Sequence, residues 1–148
     1  MKNTPPALVI RALILFLKRR VHFSNNINTV IVHEKEDFTA FRKVTLDPVE
    51  NYIDKPKAIL KIYFQFAKFS PKTNRILSII PIPLIIAQQG FRSKTWLLGN
   101  DFGIFQGLYE WDSITNAEKY MDSFVVKLMK RRSILSTLKY EITESENL

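Results

Sequence analysis

The sequence predicts an α+β protein whose central part runs β-α-β-β-α-β around an antiparallel sheet. Three observations carry this. Residues 58–67 form a run rich in β-branched and aromatic side chains. Two similar runs, 91–98 and 103–111, are separated by a Gly-Asn-Asp turn and read as a hairpin. Two stretches of helical character, 73–89 and 113–132, fall between strands.

Each element follows from local chemistry. Ala58–Ala67 has apolar residues on both faces, so it reads as a strand buried on both. Thr73–Gln89 is helical in content, but Pro81 and Pro83 must break or kink it, because each removes an amide donor and clashes with the preceding turn. Phe91–Leu98 and Gly103–Trp111 are the hairpin strands. Ser113 to Arg132 reads as one helix; Thr115 and Glu118 have capping-box spacing, with Ser113 a competing N-cap. Lys130, Arg131 and Arg132 complement its C-terminus. Thr137–Ile142 is the last strand. This order is the split βαβ, or ferredoxin-like, arrangement. It spans residues 57–142, followed by a polar tail at 143–148.

Residues 1–56 form an N-terminal extension. Pro5 and Pro6 suit a helix start, and an apolar run from Ala7 to Leu17, interrupted only by Arg11, ends in Lys18, Arg19 and Arg20. A spanning helix needs ~20 apolar residues, and this run is shorter. Three readings stay open: a helix packed on the domain, a helix on a membrane surface through residues 7–20, and a targeting signal. Asn28–Glu34 and Phe38–Leu46 read as two strands of a hairpin joined by a charged turn at Glu34–Asp37. Asp47–Lys57, with Pro48 and Pro56, reads as a linker.

The chain has 22 basic and 14 acidic residues, a net charge of +8, and no cysteine. The basic balance favours anionic partners, or merely reflects a lysine-rich exterior. Residues 1–21 hold five bases and no acid. The missing cysteines exclude disulfides, thiolate catalysis and thiolate-bound metals, and fit a reducing, cytoplasmic compartment. No Gly-rich phosphate loop, Gly-x-Ser-x-Gly motif or metal-spaced cluster is present, so neither a metal nor a bound cofactor is expected.

Three segments carry a family resemblance: Gly90-Phe91-Arg92-Ser93-Lys94-Thr95-Trp96, then Gly107-Leu108-Tyr109-Glu110-Trp111-Asp112-Ser113, then Ala117-Glu118-Lys119-Tyr120. They resemble the small dimeric α/β-barrel proteins, in particular the mono-oxygenase branch related to antibiotic-biosynthesis mono-oxygenases, over residues 58–142. The resemblance implies two ferredoxin-like sheets packed face to face as a homodimer, with a pocket between each sheet and its own helices. It implies oxidoreductase chemistry on a hydrophobic, aromatic small molecule using molecular oxygen without metal or flavin. Other members degrade haem, isomerise lactones, or have no known activity. The haem-degrading members ligate iron through a histidine, and residues 57–142 contain none; His22 and His33 both precede them.

On an ideal strand Arg92, Lys94, Trp96 and Leu98 share a face, as do Phe105, Gly107, Tyr109 and Trp111. An aromatic pocket holding a cation or phenol binds a flat phenolate and stabilises negative charge during oxidation. The candidate catalytic residues are therefore Arg92, Lys94, Trp96, Tyr109 and Trp111. Tyr63, Phe91, Ile82 and Ile85 are candidate ligand-binding residues, the isoleucines from the proline-broken stretch that would roof the pocket. The competing reading makes the aromatics core or dimer packing and the cations sheet-edge residues. Phe64, Phe66, Trp96, Leu98, Phe105, Tyr109 and Trp111 are expected to leave apolar groups on both sheet faces, which calls for a partner. A non-catalytic module binding an apolar ligand or a protein is the alternative function.

RNA-recognition domains share the element order. Asp101-Phe102-Gly103-Ile104-Phe105 faintly echoes their third-strand motif but lacks its basic residue and later aromatic, so no nucleic-acid partner is expected.

Overall fold

A computed structural model describes residues 4–25, 29–33, 36–48 and 55–145. The expected turn residues Glu34 and Lys35, most of the linker (49–54) and the end of the tail (146–148) lie outside the described residues.

The chain forms α1 (Pro5–Leu17), β1 (Val21–Asn25), β2 (Val30–His33), β3 (Glu36–Leu46), β4 (Ala58–Phe64), α2 (Pro71–Leu77), α3 (Ile82–Ile86), β5 (Phe91–Gly99), β6 (Phe105–Trp111), α4 (Ile114–Met121), α5 (Phe124–Arg132) and β7 (Lys139–Glu144). A 3₁₀ turn, Leu135–Thr137, precedes β7. All seven strands join one sheet, every pairing antiparallel. The run β5-β6-β4-β7 within it is the ferredoxin-like order of the βαββαβ unit, as the sequence predicts.

The N-terminal strands prolong this sheet. β3 pairs along β5, and its other edge is shared by β1 (Val21↔Leu46) and β2 (Val30↔Thr39). β1 was not anticipated: Val-His-Phe-Ser-Asn is short and half polar, and its partner edge supplies the missing order. Glu36 ties the hairpin to the β5–β6 turn by accepting from the amides of Asp101 and Phe102 at 3.2 and 3.1 Å.

Both predicted helices are divided. Pro81 stands between α2 and α3 as the N-cap of α3, and Pro83 sits in the first turn of α3, where its missing donor is tolerated. The second division, between α4 and α5, was not expected. Ser123 is extended (φ −74°, ψ 159°) and its hydroxyl accepts from the Val126 amide, starting a new helix after Asp122. At the start of α4, Ser113 is the cap, accepting from Asn116.

The main core lies between the sheet and the helices. Phe64, Trp96, Phe105, Tyr109 and Trp111 are buried there, with Phe66 and Leu98 packed against them. The expectation that these seven split between two faces is thus corrected: the registers Phe64↔Phe105, Leu98↔Phe105 and Lys94↔Tyr109 put them on the helix side together. The opposite face has its own small cluster, Phe38, Ala40, Tyr63 and Leu97, flanked by half-buried Ile31, Ile104 and Leu108.

Candidate active site

Between the sheet and its helices lies a cavity of about 240 Å³. β5 contributes Lys94 and Trp96, and β6 contributes Phe105, Gly107 and Tyr109 to its floor. Ile80, Pro81, Leu84 and Ile85 come from the proline-broken segment, and Val125, Leu128 and Met129 from α5. The proline break makes room here: α2 stops at Leu77 and α3 restarts only at Ile82.

Lys94 is the chemically distinctive group. Its side chain is buried, with Nζ 4.5 Å from the Trp96 ring centre and 4.6 Å from that of Tyr109. Among the described residues no carboxylate pairs with it. Burial, and then repulsion from Arg42, lower its pKa from 10.5 to about 7. A primary amine is thus held near the midpoint of its titration beside two π faces.

Gly107 permits this placement. A Cβ there would lie 2.7 Å from Tyr109 Cε1 and 3.3 Å from Lys94 Cε. Tyr109 lies across from Lys94 in the strand register, and its hydroxyl is 3.2 Å from that of Tyr120 on α4. Burial raises both phenols well above their ordinary value, so both stay neutral and one hydroxyl donates to the other. Arg42 of β3 donates to Ser78 at 2.6 Å, with its guanidinium 5.6 Å from the Trp96 ring centre.

Of the residues expected from the sequence, Lys94, Trp96, Tyr109 and Ile85 line this cavity together. Five others lie outside its lining. Arg92 falls in a β-bulge between Phe91 and Ser93 and pairs with Asp112 at 3.1 Å. The bulge adds a residue, so Phe91, not Arg92, takes the helix face with Lys94. Phe91 and Trp111 pack edge to face at 5.7 Å, and Trp111 is fully buried. Tyr63 lies on the opposite face, 6.1 Å from Phe38, and its hydroxyl accepts from Gln106. Ile82 is buried in the main core. Sequence reasoning missed Tyr120, Ser78, Gly107 and Arg42. Tyr120 stood in one of the family-like segments, and Gly107 stood as a small residue amid aromatics; nothing marked Arg42. His22 hydrogen-bonds Asp47 at 2.9 Å, away from the cavity lining.

No protein-family model matches the sequence, and no curated protein matches it. Among solved structures, the chain is similar to an uncharacterized ferredoxin fold protein related to antibiotic biosynthesis monooxygenases from Listeria monocytogenes 4b F2365. The TM-score is 0.52 at 9% identity, covering 92% of this chain and 88% of that one. It is also similar to an anthrone oxidase-like protein (TM-score 0.47, 17% identity, 74% of this chain) and to a heme-degrading enzyme from Listeria monocytogenes (TM-score 0.44, 9% identity, 82% and 95% coverage). The chain spans about half, 52%, of the anthrone oxidase-like protein. The first similarity establishes the ferredoxin fold, the fold of the mono-oxygenase-related proteins that the sequence segments resemble.

Proposed function

We propose that the protein is a mono-oxygenase-type enzyme acting on a flat, hydrophobic aromatic molecule, without a bound cofactor. The carrying observation is Lys94, one buried amine between the rings of Trp96 and Tyr109 in an apolar cavity. A neutral amine in that position removes a proton from a phenol or from a ring methylene flanked by aryl groups. The resulting ammonium then faces the delocalised anion inside a low-dielectric site, where the attraction is strong. Tyr109 and Tyr120 are hydrogen-bonded to each other, so one O–H of the neutral pair is left to donate. Such an anion is electron-rich enough to reduce dioxygen itself. For a methylene the balanced outcome is a carbonyl plus water: one oxygen atom enters the substrate, and the other leaves with the two hydrogens.

The fold is shared by proteins of several activities, so the reading stands on the cavity. Its rival is a module that binds such molecules without turning them over. Oxygen uptake with a panel of anthrones and hydroquinones tests both. The expected result is ligand-dependent oxygen consumption that rises with pH through about 7, as Lys94 loses its proton, and that Lys94→Met abolishes. Ligand-induced quenching of tryptophan fluorescence with no oxygen consumption would establish the binding module instead.

A further inference from the structure

The outer side of α1 has no role in the cavity, yet it is strongly apolar. Leu8, Ala12 and Leu15 are buried, and Arg11 donates to the Ala87 carbonyl at 2.7 Å, fixing the helix against the end of α3. The remaining side carries Val9, Ile10, Leu13, Ile14, Phe16 and Leu17, all exposed, Leu17 at 83%. Phe16 stacks on Phe23 of β1, also exposed, at 5.9 Å, which widens the patch. Exposed Ile79 and Ile80 stand in the turn preceding α3, against which α1 packs, and Ile80 also lines the cavity. Lys18, Arg19 and Arg20 follow the helix, and residues 1–21 contain no acidic side chain; Lys18 and Arg19 are exposed, while half-buried Arg20 donates to the Asp47 carbonyl.

We propose that the protein docks on an anionic phospholipid bilayer through this outer side of α1, its apolar residues entering the headgroup boundary while the exposed Lys18 and Arg19 meet lipid phosphates. Charge decides between this occupant and a second copy of the chain. A two-fold contact brings the same patch against itself, and that patch, with no acidic side chain in residues 1–21, offers the cations no partner. An anionic surface neutralises them. The helix has 13 residues, and no helix among the described residues is long and apolar enough to cross a membrane. It therefore lies in the interface plane.

The test is co-sedimentation of the full chain with phosphatidylglycerol-containing vesicles and with phosphatidylcholine vesicles. The expected result is preferential recovery with the anionic vesicles, reduced at high salt because screening weakens the cationic contribution. Leu13→Ser combined with Leu17→Ser leaves the buried side of α1 intact and is expected to lower the partition about tenfold or more, given the transfer value of a leucine. Circular dichroism checks that this variant is folded. Equal recovery of the wild type in the supernatant with both vesicle types would overturn the proposal. So would a dimer in light scattering that the double variant converts to monomer, since the patch would then belong to a second copy. Neither outcome touches oxygen uptake at Lys94, which is measured without vesicles.

Discussion

Replacing Lys94 by methionine is expected to stabilise the protein while removing the proposed oxygen uptake. The amine falls from an ordinary 10.5 to about 7, driven first by burial and then by Arg42. At about 1.4 kcal/mol per pH unit, the native state bears a penalty of ~5 kcal/mol whenever this lysine is charged. The contacts with Trp96 and Tyr109 offset about 1–2 kcal/mol of what its removal would return. Methionine has nearly the same length, no charge, and a thioether suited to aromatic surroundings. The net gain at pH 6 is therefore ~3 kcal/mol, read as a higher urea midpoint with an unchanged slope. The pH dependence fixes the cause. Between pH 7 and 10.5 the unfolded chain keeps a proton on Lys94 that the native chain has lost, so wild-type stability rises with pH across that window. Below it both states are protonated and the penalty is constant. Near pH 10 the two buried phenols act oppositely, because unfolded tyrosines ionise while Tyr109 and Tyr120 do not. The rise between 7 and 10 should vanish in Lys94→Met. A variant that is less stable than wild type at pH 6, or that keeps the rise, would refute the reasoning.

Gly107→Ala should cost about 1–3 kcal/mol by overpacking and abolish ligand-induced fluorescence changes, because the new methyl meets the Tyr109 ring and the Lys94 stem. Unchanged denaturation and binding would mean that the floor of the cavity is not set there. A homodimer through the second sheet face is expected from Ile31, Ile104 and Leu108, which stay half-buried around Phe38, Tyr63 and Leu97. Light scattering across micromolar concentrations checks it, and a strict monomer removes it.

The βαββαβ unit was readable because its signals are local and agree with one another. Strand runs, a Gly-Asn-Asp hairpin turn and two helical stretches fall in an order that few folds use. The prolines at 81 and 83 were equally plain, since their effect needs no tertiary context. The divided second helix was also written, in Asp122 and Ser123, but a serine inside an amphipathic pattern is ordinary until its backbone turns extended. β1 was hidden for another reason. Its five residues are mostly exposed and owe their order to the free edge of β3, which sequence periodicity does not display.

The site shows where strand periodicity loses its power. Simple alternation puts Arg92 and Lys94 side by side, and up to position 93 the chain offers no sign otherwise. One extra residue at the bulge turns Arg92 away to Asp112 and leaves Lys94 as the amine against the aromatic floor. The neighbours that give Lys94 its character are remote in sequence. Arg42 reaches it from β3, and Tyr120 meets Tyr109 from α4. Each supplies a term that no local pattern contains: like charge in one case, a second phenol in the other. A buried amine without a carboxylate is costly, and a methionine would fill the same space at lower free energy. That the fold holds this lysine between two rings, beside a glycine that leaves room for it, is the physical reason to propose the chemistry for the cavity.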